Sequence, residues 1–203
     1  EYQIDGVWRK TGTIGDIGTS SFYPAHHITT GEGGAVYTRN PLLNRIVRSL
    51  RDWGRDCVCS GGEDNTCGYR FTGQFGTLPV GYDHKYVYSH LGYNLKATDL
   101  QAAVGAAQLE KLPGFVARRR ENWAFLRRAL EPLEGQLLFQ EAGAESRPSW
   151  FGFLMTVRPE SPVSRDALVA HLEAHNIQTR PLFAGNLIRH PCFQNLREGV
   201  DYR

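Results

Sequence analysis

The sequence predicts an α/β fold in two parts, and three observations predict it. Short β-branched and aromatic runs alternate with amphipathic helical stretches in the first half. A long helical region fills the middle. Beyond about residue 136 a shorter strand–helix–strand pattern takes over. With 203 residues the chain can build one or two domains with a core of their own. The boundary is expected near residue 115, giving parts 1–114 and 115–203.

The first strand is expected from Ile14 to Phe22, with turn residues before it and β-branched and aromatic residues inside it. Gly33-Gly34 opens a second strand, Ala35 to Thr38. Asn40-Pro41 then starts a helix running to about Trp53, with Leu43, Ile46, Val47 and Leu50 at helical spacing. Residues 54 to 92 are rich in Gly, Asp, Tyr and Cys. So long an irregular stretch is usually functional or ordered by a ligand. Thr98 suits the N-cap of a helix through Leu112. Pro113-Gly114 is expected to punctuate it before a second helix, Phe115 to Leu133. A strand from Trp150 to Val157, a helix from Arg165 to His175 capped by Ser164, and a strand from Ile177 to Phe183 complete the second part.

The formal net charge is +2, which makes no electrostatic case for nucleic acid or a membrane surface. No run of eighteen apolar residues occurs, as a membrane-spanning helix would need. Glu1-Tyr2-Gln3-Ile4 has no initiator Met, basic region or apolar stretch of a signal peptide. A cytoplasmic location is therefore expected. With Val200-Asp201-Tyr202-Arg203 at the other end, the sequence reads as a piece of a longer protein, truncated at both ends.

Lysine is scarce: Lys10, Lys85, Lys96 and Lys111 stand against nineteen arginines. Few side chains could form a Schiff base. Of the four cysteines, Cys57, Cys59 and Cys67 fall within eleven residues, and Cys192 stands alone. Without a secretory signal, such clustering favours metal or redox chemistry over a structural disulfide. Three thiols could bind zinc with His84 or His90 in a tetrahedral Cys₃His site. Cys192, between Pro191 and Phe193, reads as a small packed hydrophobe.

The most informative stretch is Ser21-Phe22-Tyr23-Pro24-Ala25-His26-His27-Ile28-Thr29-Thr30-Gly31-Glu32-Gly33-Gly34. It resembles the active-site segment of the DegT/DnrJ/EryC1/StrS sugar aminotransferases: Ser-Phe, three residues, Lys, then Gly-Glu-Gly-Gly. His26 occupies the lysine position. An imidazole has no primary amine and cannot hold pyridoxal phosphate (PLP) covalently. With an unperturbed pKa near neutrality it can accept and return a proton. The same exchange marks the hexulose 3-dehydrase branch of that family, which serves lipopolysaccharide 3,6-dideoxyhexoses. Similarity to that branch continues through Arg51 to Cys57, Gly81 to Tyr86, Gly92 to Ala103 and Leu182 to Asn186. It covers nearly the whole chain.

The resemblance implies PLP-enzyme fold type I: the C-terminal part of the large mixed-sheet domain, followed by a small α/β domain. It implies pyridoxamine phosphate (PMP) as coenzyme and His26 as base. Ser21 would bind the coenzyme phosphate, Asn94 would reach it across a homodimer interface, and Tyr23 would lie nearby. Cys57, Cys59 and Cys67 resemble three ligands of that branch's 2Fe–2S cluster, which takes four thiolates. The fourth would lie upstream of this sequence. The implied substrate is a nucleotide sugar, CDP-linked, that loses its 3-hydroxyl, with electrons from a flavin and iron–sulfur reductase. An aminotransferase of the same fold is the first alternative, but no lysine lies in the motif to support it. A zinc-binding, non-catalytic relative is the second.

Overall fold

The computed structural model describes residues 1–57, 59 and 62–202. The chain divides into two compact units, Glu1–Arg120 with Ala142–Phe151, and Glu121–Glu141 with Gly152–Arg203. The division falls inside a helix rather than at the expected turn near residue 115.

The first unit opens on an antiparallel hairpin of β1 (Tyr2–Ile4) and β2 (Val7–Arg9). Asp5 and Gly6 turn it with φ of 50° and 76°, the left-handed pair that two-residue hairpins favour. A second antiparallel hairpin joins β3 (Gly18–Ser21) to β4 (Gly34–Tyr37), with Ser21 opposite Gly34. The first expected strand, Ile14 to Phe22, shortens to Gly18–Ser21. Helix α1 (Pro41–Arg51) begins where Asn40 predicts. The Asn40 Oδ1 accepts from the Leu42 and Leu43 amides at 2.9 and 3.3 Å, and Pro41 needs no partner for the amide it lacks. Leu43, Val47 and Leu50 form its half-buried stripe.

Helix α2 (Asp99–Ala129) runs straight through Pro113. The expected break fails for a physical reason. Pro113 lies on the exposed side, between half-buried Leu112 and Val116. The missing amide forfeits one helical bond there, while the packed stripe Gln101, Gly105, Gln108, Leu112, Val116 keeps its period on the other side.

The second unit pairs β5 (Leu137–Phe139) with β6 (Met155–Val157) and adds α3 (Arg165–Ala174). Ser164 caps α3 through the Ala167 amide at 3.2 Å. Asn176, at φ 60°, stops it. The strand expected at Ile177–Phe183 is irregular backbone instead, and Trp150 to Leu154 lie outside β6. Glu173 explains part of this: its carboxylate takes the Thr179 amide and hydroxyl at 2.5 and 2.6 Å, so the Thr179 donor is spent locally.

Within the first unit the long excursion 54–92 is closed at its neck by backbone hydrogen bonds, with the Arg55 guanidinium over the Tyr88 ring beside them. The Gly54 carbonyl accepts from the Ser89 and His90 amides at 2.8 and 3.2 Å. A Cβ on Gly54 would stand 2.0 Å from the His90 oxygen, and one on Gly92 would stand 2.2 Å from the Gly54 nitrogen. Gly54 also sits at φ 78°. We expect Gly54→Ala to destabilise the full-length protein by at least about 2 kcal/mol, from left-handed strain plus the carbonyl clash. A urea midpoint unchanged from the parent would contradict this close approach.

Among the described residues, Val87 and Leu137 are the apolar side chains buried to 5% and 7% exposure, and many large apolar groups remain exposed. His84 is buried completely. No helix among the described residues is long and apolar enough to cross a membrane.

Candidate functional site

Two groups of chemically able side chains form in the first unit. The first grows out of the β3–β4 hairpin. The Phe22 amide donates to the Gly33 carbonyl at 2.8 Å, and the Thr30 amide and Thr29 hydroxyl donate to the Phe22 carbonyl at 3.2 and 3.0 Å. The loop between them is thus a closed bulge at the strand end. Inside it, Pro24 supports a tight turn in which the His26 amide donates to the Tyr23 carbonyl at 2.9 Å. The Gly-Glu-Gly-Gly run has a steric basis. A Cβ on Gly33, at φ 151°, would stand 2.4 Å from the Thr30 Oγ1, and one on Gly34 would stand 2.8 Å from the Ser20 carbonyl.

This turn brings Ser21, Tyr23 and His26 onto one short segment. The Ser21 Oγ accepts from the Tyr23 amide at 3.3 Å and its hydroxyl hydrogen stays available, on an exposed residue. The His26 ring meets Tyr23 and Phe151 edge to face, at centroid distances of 5.8 and 5.5 Å. These aromatic contacts hold the ring, and both nitrogens remain candidates for proton transfer. Phe151 is itself placed by helix α2: the Arg119 Nη1 donates to the Trp150 and Phe151 carbonyls at 3.0 and 3.3 Å. Arg120 donates to the Pro148 and Arg147 carbonyls at 3.0 Å each. Arg119 and Arg120 together therefore form a clamp on backbone carbonyls.

His27 differs from its neighbour. Its Nε2 lies 3.2 Å from the Ser149 carbonyl, which can only accept, so Nε2 carries the hydrogen. Burial pushes its pKa down and the nearby Arg119 charge pushes the same way. A neutral, tethered ring suits a packing role. Asn94 sits on another element. It is exposed and bridges Asp52 at the end of α1, on backbone that pairs Tyr93 with Leu50 at 2.7 Å.

The second group lies in the 54–92 excursion. The Asp56 amide donates to the Val87 carbonyl at 3.0 Å, which lays the segment entering Cys57 beside the turn at His84–Tyr86. Ligand atoms of Cys57, Cys59 and His84 all lie within 4.8 Å of one another. The Cys67 Sγ stands 3.3 Å from the His84 Nε2. The structure thus gathers the three thiols expected from sequence and selects His84 over His90, which is exposed. Cys192 is exposed in the other unit.

Charged side chains hold the two halves of this site together. Asp83 caps the turn, accepting from the Lys85 amide at 3.1 Å. Arg70, three residues after Cys67, grips the Asp83 carboxylate from Nε at 3.0 and 3.1 Å and from Nη2 at 2.7 Å. Lys85 pairs with Asp64 on the opposite strand of the loop. Arg70 holds the Asp83 carboxyl below its ordinary value and Lys85 does the same for Asp64. Their contribution to loop stability is complete above the ordinary carboxylate range and is lost as pH falls through the lowered folded values.

The thiols are not equivalent. The Thr66 hydroxyl, then the Cys67 backbone amide, bring Cys59 down from 9.0 to about 6, whereas burial pushes Cys57 up. In metal-free protein at pH 7, Cys59 is expected to react first with iodoacetamide, at a rate that falls as pH drops through about 6. Peptide mapping checks this; Cys57 modified ahead of Cys59 would contradict it.

These residues suit the groups that the sequence suggests. Three free thiols beside a buried His84 whose Nδ1 has no hydrogen-bond partner among the described residues are a soft donor set for iron or zinc. An exposed hydroxyl and an imidazole on one turn suit a phosphate-bearing coenzyme held without a protein amine.

Residues 2–202 match the DegT/DnrJ/EryC1/StrS aminotransferase family. The chain belongs to this family. It is 58% identical over 192 residues to the lipopolysaccharide biosynthesis protein RfbH of Salmonella typhimurium, covering 95% of this chain and 44% of that protein. It is 57% identical over 189 residues to the dTDP-4-dehydro-2,6-dideoxy-D-glucose 3-dehydratase of Saccharopolyspora spinosa, covering 93% and 41%. The structure superposes on the E. coli GDP-4-keto-6-deoxy-D-mannose-3-dehydratase with bound hydrated PLP at a TM-score of 0.73, with 26% identity over 93% of this chain and 45% of that one. The fold is therefore that of the PLP-dependent aminotransferases. The chain spans less than half the length of each of these DegT/DnrJ/EryC1/StrS relatives.

Proposed function

We infer that this chain carries part of the active site of a PMP-dependent nucleotide-sugar 3-dehydratase with a 2Fe–2S cluster. The observation that carries this reading is the pairing of His26, at the lysine position of the motif, with the assembled thiols Cys57, Cys59 and Cys67. The names of the two relatives above 55% identity, one a 3-dehydratase and one a lipopolysaccharide biosynthesis protein, support it. The resemblance in the motifs points to CDP-6-deoxy-L-threo-D-glycero-4-hexulose as substrate.

When bound, the coenzyme supplies an amine for the sugar's 4-keto group and an electron sink that lets the 3-hydroxyl depart. Ser21 donates its hydroxyl to the phosphate. Asn94, exposed on its own element, serves the site of a second copy in a homodimer. His26 accepts a proton at a ring nitrogen and returns it, while the edge-to-face contacts with Tyr23 and Phe151 hold the ring in place. Cys57, Cys59 and Cys67 would hold the cluster together with one further thiolate, and the bound cluster would supply single electrons received from a reductase.

Zinc in a Cys₃His site is the second reading, and the closeness of His84 to the thiols favours it. An absorption spectrum with iron and sulfide assays on anaerobically purified full-length protein separates the two. Visible bands that bleach with dithionite, with about two irons and two sulfides per chain, support the dehydratase. A colourless protein carrying zinc alone sinks its electron-transfer half.

A further inference from the structure

His84 is a fully buried imidazole that the reaction above does not use. Its position is over-determined. Its amide donates to the Arg70 carbonyl at 3.0 Å, its carbonyl accepts from the Val87 amide at 3.1 Å, and its turn is capped by Asp83 in the grip of Arg70. Tyr69 packs on the ring at 4.9 Å, and Phe75 stacks on it at 6.3 Å with planes 25° apart. One nitrogen, Nε2, reaches the Cys67 sulfur at 3.3 Å, and the other, Nδ1, is buried without a hydrogen-bond partner among the described residues.

The tautomer follows from both ends. A thiolate that holds iron has only lone pairs to offer, so a contact at 3.3 Å needs the hydrogen on Nε2. Placing it on Nδ1 would leave a buried N–H with no acceptor, and orphaned donors are rarer than orphaned acceptors. Both arguments give Nε2–H.

Resting on the iron–sulfur reading, we propose that His84 is a positioning residue that donates a hydrogen bond from Nε2 to the Cys67 thiolate of the cluster and thereby raises its reduction potential. The sign is electrostatic. Reduction adds negative charge to the cluster, and part of it falls on the ligand sulfurs. A donor aimed at one of those sulfurs stabilises the reduced form more than the oxidised form. The Arg70–Asp83 pair fixes the ring, so the donor is in place before the electron arrives.

The test uses the reconstituted full-length protein and its H84L and H84Q variants. Iron and sulfide contents are measured first, then the cluster midpoint by dithionite titration followed by EPR. H84L removes the donor and keeps the bulk. At the parent's midpoint it should raise the ratio of oxidised to reduced cluster about tenfold, equal to about 59 mV for one electron. H84Q restores an N–H at similar reach and should return the ratio to within about threefold of the parent. An H84L midpoint equal to the parent's overturns the proposal. Should H84L lose its cluster, pulsed EPR on the reduced parent labelled with ¹⁵N-histidine decides. A weakly coupled nitrogen supports the hydrogen bond. A strongly coupled one means direct ligation, and none means no contact; either overturns it. A parent protein without iron fails the reading beneath, a result read from the metal assay before any variant is compared.

Discussion

Replacing His26 with Asn in the full-length protein should lower dehydration turnover by about 10²- to 10⁴-fold, the usual loss when a positioned base is removed. The coenzyme should stay bound, because no covalent bond to this side chain holds it and Ser21 is untouched. Asn keeps a polar group on the turn and leaves the Tyr23–His26 backbone bond intact, so the hairpin should fold as before. Steady-state release of the 3-deoxy product, measured with saturating coenzyme and an electron donor, reads the first expectation. The bound coenzyme's absorbance reads the second. An Asn variant that turns over at the parent rate would remove His26 from the chemistry and leave it an aromatic spacer between Tyr23 and Phe151. A variant that loses coenzyme with activity would assign His26 to binding instead.

Serine at Cys57, Cys59 or Cys67 should strip the iron, from about two per chain to almost none, whichever thiol is changed. A hydroxyl is a hard, weakly acidic donor and does not replace a thiolate on iron. Coenzyme binding should persist, since the thiols and Ser21 belong to separate excursions of the chain. Product formation that needs external electrons should vanish. Cys192→Ser serves as the control and should keep full iron, because Cys192 is exposed and lies in the other unit. Iron retained in any one of the three variants would delete that residue from the ligand set.

Much of this arrangement was legible in the residues, and the failures have physical causes. The cap at Asn40, the cap at Ser164 and the stop at Asn176 are local hydrogen-bond chemistry, so a single sequence displays them. The hairpin around the Ser21–Gly34 motif could be placed because its glycines answer short-range contacts. Pro113 misled because whether a helix survives a proline depends on which side faces out, a tertiary property. Ile177 to Phe183 has strand composition, but the Glu173 carboxylate takes Thr179 first. The Arg119 clamp was invisible because its acceptors are carbonyls some thirty positions later, with no side-chain signature. His84 and His90 looked equal as letters. What distinguishes them is the backbone course of the segment entering Cys57 beside Val87.

The neck formed by Gly54 and Gly92 has an evolutionary corollary. Its hydrogen bonds to the Gly54 carbonyl and its tightest contacts are main-chain, and the Arg55 guanidinium over the Tyr88 ring at 5.7 Å is a side-chain contact beside them. The cost of closing a loop grows slowly with length, by about 0.6 kcal/mol per doubling. Lineages could therefore rewrite the interior between the Arg55 and Tyr88 ends without disturbing the hairpin that carries Ser21 and His26. The excursion behaves as a cassette.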